Sequence, residues 1–394
     1  MKKIFTMITI FIVGTLIGHA TIRVVDGVGA SSSGRYAKIA DAVTAAVTND
    51  TVVVLPGTYR EADVTIDKKL TILGSGYREI KNGGTHIMNV WFTIADAADG
   101  TKIQGFRFLG NGIGLNANAD NCLIANNYFL NAAVNLTTNN GDTIRNNMFV
   151  ATTAINMIYS SYNVTLQNIV IANNIMSGSA QTNNAAAIFL RAQTASQTNI
   201  QIINNFIEKY SLIVHGDWTA FDGMILAGNI FHKVANIVNA ANNAQLYSGN
   251  WKFNCPVTAV EPANALDKSS GDLSAMFTRF DQGFDFKDTP STDTDLRFKS
   301  TTTPFPDSPI DGSATAVAPL GNWYVDYLQQ PGTSNGNRAD GGIYGGPYTF
   351  PSNYGGPILP SVTNISISPA VASPNGTIQI NATGTVSGFP GRNN

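Results

Sequence analysis

Arg191 and His215 are the residues in the middle of this chain best suited to chemistry. Between Phe108 and Ile200 the only charged residues are Asp120, Asp142, Arg145 and Arg191. Glu208, Lys209, His215 and Asp217 then come close together, so titratable groups gather around positions 191–217. A cation beside an imidazole suits removal of a proton next to a carboxylate. A lyase acting on a uronide needs a base for the C5 proton, a charge that stabilises the enolate, and a proton for the leaving oxygen. Arg191 or Lys209 is the candidate base, with His215 assisting. A glycosidase would instead need two facing carboxylates. No cysteine or histidine spacing suggests a metal centre.

A repeat positions these groups. A phrase recurs as Ile-Gln-Gly-Phe-Arg-Phe (103–108), Ile-Ala-Asn-Asn-Tyr-Phe (124–129), Ile-Arg-Asn-Asn-Met-Phe (144–149), Ile-Ala-Asn-Asn-Ile-Met (171–176), Ile-Ile-Asn-Asn-Phe-Ile (202–207) and Leu-Ala-Gly-Asn-Ile-Phe (226–231), and it ends with Tyr-Ser-Gly-Asn-Trp-Lys-Phe (247–253). Its third position is Gly105, Asn126, Asn146, Asn173, Asn204, Gly228 and Gly249, at steps of 21, 20, 27, 31, 24 and 21 residues by subtraction. Steps of this length signal a solenoid. Gly and Asn are the residues that accept a positive φ, so the chain bends left-handedly there once per repeat. The next position is Asn in six of the seven repeats, Asn127, Asn147, Asn174, Asn205, Asn229 and Asn250. Stacked about 4.8 Å apart, those amides form a ladder. The apolar residues two before and three after the bend point inward, and each coil buries its apolar face only by stacking on its neighbours. The expected fold is an all-β parallel β-helix.

Upstream, residues 37–47 form an Ala-rich amphipathic segment with Ile39, Val43 and Val47 on one face, which predicts a short helix. Thr-Val-Val-Val-Leu-Pro-Gly-Thr-Tyr (51–59) reads as a buried strand closed by a Pro-Gly turn, followed by strands at 64–66 and 70–72. A helix over the first coil covers its open end against water and strand addition. The run from Asp50 to Tyr59, then Lys69-Leu-Thr-Ile-Leu-Gly-Ser-Gly76, then the Asn-Asn coils, resembles the pectin-lyase-like right-handed parallel β-helix superfamily over residues 35–255. That resemblance implies the fold. It leaves the activity open among pectate and alginate lyases, polygalacturonases, esterases, epimerases and non-catalytic adhesins.

In that superfamily the usual working surface is an outward strip of the first parallel sheet, built here from the strand preceding each Asn phrase. Aligned on the inward residues Leu115, Leu136, Met157, Leu190, Val214 and Val238, the outward strip is Asn116, Thr137, Ile158, Arg191, His215 and Asn239. Arg191 and His215 thus fall on adjacent coils. Asn116, Asp217, Trp218 and Asn239 are the expected substrate contacts, and Trp91, Trp218 and Trp251 are candidate platforms for sugar stacking. The expected function is interaction with a polysaccharide, either as a lyase or as a non-catalytic surface adhesin.

Residues 1–20 read as a signal peptide: Lys2 and Lys3, an apolar run from Ile4 to Ile17, then Gly18-His19-Ala20. Removing the two lysines leaves 22 basic residues (24 − 2) against 26 acidic ones. That balance argues against nucleic acid or an anionic membrane as partner. An exported monomer without a membrane span is expected, with residues 21–357 as the β-helix and 358–394 as a short C-terminal β tail. No cofactor is required. The acidic run Asp267, Asp272, Asp281, Asp285, Asp288, Asp293 and Asp295 would attract calcium, but it lacks the alternating spacing of a calcium loop. Ser-Pro-Ile-Asp-Gly (308–312) and Asp-Gly-Gly-Ile-Tyr-Gly-Gly (340–346) resemble phrases that close secreted bacterial β-helix proteins. Cys122 and Cys255 sit about six coils apart on this register, roughly 29 Å at the inter-strand spacing, beyond the ~7 Å a disulfide spans between Cα atoms. Thiol titration of the denatured, unreduced mature chain is expected to find two free thiols, and a monomer with none would break the register.

Overall fold

The computed structural model describes residues 20–27, 35–76, 84–178, 185–192, 197–208, 211–216 and 221–222, pieces at 224–227, 229–232, 251–252 and 255–256, and two strands at 361–368 and 379–385. The signal segment, the connection at 257–360, and Lys209, Asp217, Trp218 and Asn239 lie outside the described residues. Within them the chain winds as a right-handed parallel β-helix, as the superfamily resemblance implies.

Three sheets run the length of the solenoid. Sheet I holds seven described strands, from Val64–Ile66 through Ile113–Leu115 to Ala186–Ala192 and Ser211–Gly216. Sheet II holds eleven, including Thr51–Val54, Leu123–Ala125, Thr143–Arg145 and Val170–Ala172. Sheet III holds nine, including Thr85–Met88, Phe106–Leu109, Tyr128–Leu130, Met148–Ala151, Ile175–Gly178 and Phe206–Glu208, and ends at Cys255–Pro256. A fourth sheet of two-residue strands, Asn139–Asn140, Leu166–Gln167, Gln197–Thr198 and Phe221–Asp222, opens between sheets I and II in the later coils. The tail forms one antiparallel pair, Ser361–Ser368 with Gln379–Thr385.

The Asn phrase is the corner between sheets II and III. Its bend residues have φ of 82° at Gly105, 54° at Asn126 and Asn146, 50° at Asn173 and 53° at Asn204. The asparagines just after the bend are buried and form the predicted ladder. Asn127 Nδ2 donates to Asn147 Oδ1 at 3.2 Å, Asn147 to Asn174 at 3.1 Å, Asn174 to Asn205 at 3.0 Å and Asn205 to Asn229 at 3.0 Å. Each of these four Nδ2 groups also donates to a backbone carbonyl of the preceding coil, as Asn147 does to Ile124. Inside the corner, Ile103, Ile124, Ile144, Ile171 and Ile202 stack as one column, and Phe108, Phe129 and Phe149 stack as another with centroids 5.0 and 4.5 Å apart.

Two further corners bend the same way. Gly100, Asn121, Gly141, Asn168 and Asn199 precede sheet II with positive φ, and Asn89, Gly110 and Asn131 come after sheet III. Gly141 is pinned by its neighbour, because a Cβ there would meet Asn121 Oδ1 at 2.4 Å.

The capping helix α1 spans Ile39–Ala45 and packs on the first strands of sheets I and II. Its first two free N–H groups, Ile39 and Ala40, donate to the two carboxylate oxygens of Glu61 at 3.0 Å each. Ile39 and Val43 are buried as expected, but Val47 is 53% exposed. The helix stops at Ala45, and Ala46 is extended, so Val47 leaves the helical face. Replacing Asn146 by Val should destabilise the fold by roughly 1–3 kcal/mol in thermal melts, because a β-branched residue resists the left-handed bend. Gly at that position should cost much less, as Gly105 makes the same bend in an earlier coil.

Candidate functional site

The last two described strands of sheet I are longer than those before them. Val134–Leu136 and Ile158–Ser160 have three residues each, Ala186–Ala192 has seven and Ser211–Gly216 has six. The extra length places Arg191 and His215 at the ends of neighbouring strands, and the two are direct partners across the ladder. From Ile188 to Arg191 the strand alternates: Ile188 and Leu190 are fully buried, while Phe189 and Arg191 are partly exposed on the outer face. The Arg191 guanidinium lies over the Phe189 ring, 4.3 Å from its centroid. The Arg191 N–H donates to Ser160 Oγ at 2.8 Å, which fixes the strand end on the coil below. A guanidinium laid on a ring keeps its planar edge available for a carboxylate.

The expected strip needs one correction. Leu136 pairs with Ser160, and Ile158 pairs with Val134 and Ile188 and is fully buried. Ile158 is therefore a core residue, and Ser161 takes its place between Thr137 and Arg191. Met157 shifts the alignment because it too is apolar and buried, three residues before the true match. Hydrophobic pattern alone permits that slip. Asn116 is exposed at the head of the strip, as expected, with its N–H on the Ile94 carbonyl at 2.9 Å. Of the other residues expected at the site, Lys209, Asp217, Trp218 and Asn239 lie outside the described residues, and Glu208 belongs to sheet III.

A second outward row runs beside the first: Gly114, Asn135, Tyr159 and Phe189, paired strand to strand. Three aromatics attend it. The indole of Trp91 lies against Gly114, where a Cβ would meet its Nε1 at 2.7 Å. Tyr159 and Phe189 stand on successive coils, and all three rings are partly exposed. Burial holds the Tyr159 phenol above its ordinary pKa, so it stays a hydrogen-bond donor at neutral pH. Tyr162, just past the Ser160–Ser161 end, is 56% exposed. Sequence pattern does not single out Tyr159 and Phe189, because aromatic residues also fill the core. Only the in–out alternation of the strand separates the two cases. Trp251 stands on sheet II, away from this face.

Arg191 and His215 are not the only such pair. His86 and Arg107 also face each other across neighbouring strands, on sheet III. Among the described residues no group of three or more His, Cys, Asp or Glu side chains could hold a metal ion, and no helix is long and apolar enough to cross a membrane. The acidic run at 267–295 lies outside the described residues.

No family model matches the chain, and no curated protein matches it. Among solved structures it is similar to a pectin methylesterase from Erwinia chrysanthemi, with 10% identity, a TM-score of 0.27, and 63% of this chain and 93% of that one covered. It is also similar to a pectin methylesterase from Aspergillus niger, with 16% identity, a TM-score of 0.20, and 64% and 93% coverage. At these values no residue-to-residue correspondence can be drawn.

One buried carboxyl stands apart from the outer face. Asp142 is 1% exposed, and its Oδ1 accepts the Cys122 N–H at 2.7 Å while its Oδ2 has no partner. Burial, with repulsion from Asp120 and Asp99, pushes it up to about 8. Its folded pKa thus lies above the unfolded value, so its contribution is fully present below about pH 4 and is lost as pH rises through about 8. The fold should weaken by about 2–5 kcal/mol between those limits, and Asp142→Asn should remove most of that slope. Denaturant titrations of both proteins at pH 5 and pH 9 check this, and parallel slopes would refute it.

Proposed function

We propose that the chain is an exported, monomeric β-helix protein that binds an acidic polysaccharide along the outer face of sheet I and cleaves it by β-elimination at Arg191 and His215. The observation that supports this reading best is the Arg191 guanidinium, stacked on Phe189 and opposite the His215 position on the next strand. The signal-like residues 1–20 support export. Sugar rings have an apolar face that stacks on aromatic side chains, and Trp91, Tyr159 and Phe189 offer such surfaces on successive parts of one strip.

Arg191 binds the uronate carboxylate and stabilises the enolate charge. A guanidinium does not give up its proton near neutral pH, which moves proton abstraction from Arg191 to the imidazole of His215 or the amine of Lys209. The base takes the C5 proton, the C4–O bond breaks, a C4–C5 double bond forms, and the departing oxygen takes a proton. An imidazole has its unperturbed pKa near 6.5, suited to both proton transfers.

The aromatic row supports a second reading. A strip that grips glycan without proton transfer makes a non-catalytic surface adhesin.

The test is a screen of the purified mature chain against acidic polysaccharides, measuring binding and the ultraviolet absorbance of unsaturated chain ends. Elimination should fall about 100-fold or more in Arg191→Ala and in His215→Ala, with the melting temperature almost unchanged. Phe189→Ala should weaken binding by about 1 kcal/mol, near fivefold. Binding without unsaturated ends leaves the adhesin reading. Binding to none of the glycans removes both.

A further inference from the structure

In the middle of sheet III the first residues of four strands are buried although they point outward. Phe108, Phe129, Phe149, Met176 and Ile207 form its inward row. The alternate row, Arg107, Tyr128, Met148, Ile175 and Phe206, is paired strand to strand and points outward. Yet Tyr128 is 7% exposed, Met148 2%, Ile175 0% and Phe206 1%. Across the corner, sheet II hides Ala125 and Ala172 at 0% and Ile203 at 3%, and leaves Gln104 and Arg145 of the same outward row partly exposed. On sheet I the comparable row of Asn135, Tyr159 and Phe189 stays partly exposed. Row neighbours shield the flanks of such side chains, but their tips need an occupant, because a strand buried on both faces is a covered strand. No described helix or strand lies across this face in the way that α1 lies across the start of sheet I.

We propose that the occupant is the chain's own segment 266–288, and that this outer face of sheet III is its docking surface. Three observations favour that segment over another partner. Cys255–Pro256 is the last described strand of this same sheet, so residues 257 onward begin at the edge of the face. Five strand steps separate Cys255 from Tyr128 in the sheet order, about 24 Å at the inter-strand spacing, which fewer than about ten extended residues can cover. The segment also matches the face in chemistry. Leu273, Met276, Phe277, Phe280, Phe284 and Phe286 supply apolar contacts for the row from Tyr128 to Phe206. Asp281, Asp285 and Asp288 stand among them. The far end of the face is basic, with Arg107 opposite His86 and its guanidinium 5.0 Å from the Tyr128 ring centroid. Docking is independent of the polysaccharide site, which lies on sheet I.

A benzophenone amino acid at Val150, two residues beyond Met148 on the same face and partly exposed, tests this in the full chain. Irradiation should give adducts within one molecule, mapped by peptide mass to residues 266–288. Adducts between two copies, adducts to any other segment, or none at all would overturn the proposal. Peroxide treatment of the unsubstituted full chain gives an independent reading. Met148 should form sulfoxide about 10-fold or more slowly than the partly exposed Met88. In a chain carrying Phe280→Asp and Phe284→Asp, Met148 should oxidise about 10-fold faster while the inward Met176 stays protected. Continued protection of Met148 there refutes the docking. If Met176 also becomes reactive the variant has lost its fold, and the adduct map alone decides.

Discussion

Parallel coils have no hairpin turn to set their register. A slip of one residue would turn every side chain of a strand to the opposite face. The ladder from Asn127 to Asn229 removes that freedom. Each amide donates to the next amide oxygen and to the carbonyl of the coil before, and each of Asn147, Asn174, Asn205 and Asn229 also accepts, through Oδ1, the backbone N–H of the ladder asparagine one coil earlier. A buried amide left unpaired costs about 1–3 kcal/mol, so a slipped coil would strand several such groups at once. Register is therefore held at one corner, and the rest of the coil is free to vary in length. The steps of 27 and 31 residues are the result: the added residues flank and lengthen sheet I while the corner remains the same. Variation is thus directed to the face where the candidate chemistry sits.

The interior polar groups obey a related rule. Asp50, Thr101 and Asp142 occupy the same position in their coils, just before a sheet II strand. Each accepts the N–H of a residue one coil earlier, Thr21, Leu70 and Cys122 respectively. Asp50 also receives Arg23 and the Val47 N–H, which together with the Thr21 N–H outweigh its burial and hold its carboxyl below the usual range. Asp142 lacks such a cation, so the same position raises rather than lowers its pKa. The Cys122 thiol beside it is pushed up to about 12, chiefly by burial, which leaves it an apolar filler rather than a nucleophile. Asp50 and Asp142 thus serve the stacking of one coil on the next.

The corner between sheets II and III is legible in the sequence because three signals coincide within six residues: Gly or Asn at the bend, Asn after it, and apolar residues at fixed offsets. The other two left-handed corners carry the same Gly and Asn preference, but loops of varying length flank them, so no fixed offset reveals them. The same variation blurs sheet I, where Met157 stands in for Ser160 and draws Ile158 into the outward strip. Arg191 and His215 can be placed opposite each other because both strands are long there, which leaves less room for a slip. The pairing of His86 with Arg107 is not legible in this way, because it belongs to sheet III and not to the strip that precedes each Asn phrase.

A solenoid of this kind has three long outer faces, and they are not equivalent. Sheet III hides large apolar side chains on its outer row and is basic at one end. Sheet I keeps its aromatic rings partly exposed and presents one ordered cation. The difference arises from the residues at alternate positions, Tyr128, Met148, Ile175 and Phe206 against Gly114, Asn135, Tyr159 and Phe189. Gly114 and Asn135 matter as much as the rings, since a larger side chain at Gly114 would displace Trp91. A cation ordered by stacking loses little freedom when it meets a carboxylate, so its binding energy is spent on the ligand rather than on its own immobilisation. That makes the Phe189–Arg191 stack, more than the scarcity of charge around it, the feature on which the proposed ligand face rests.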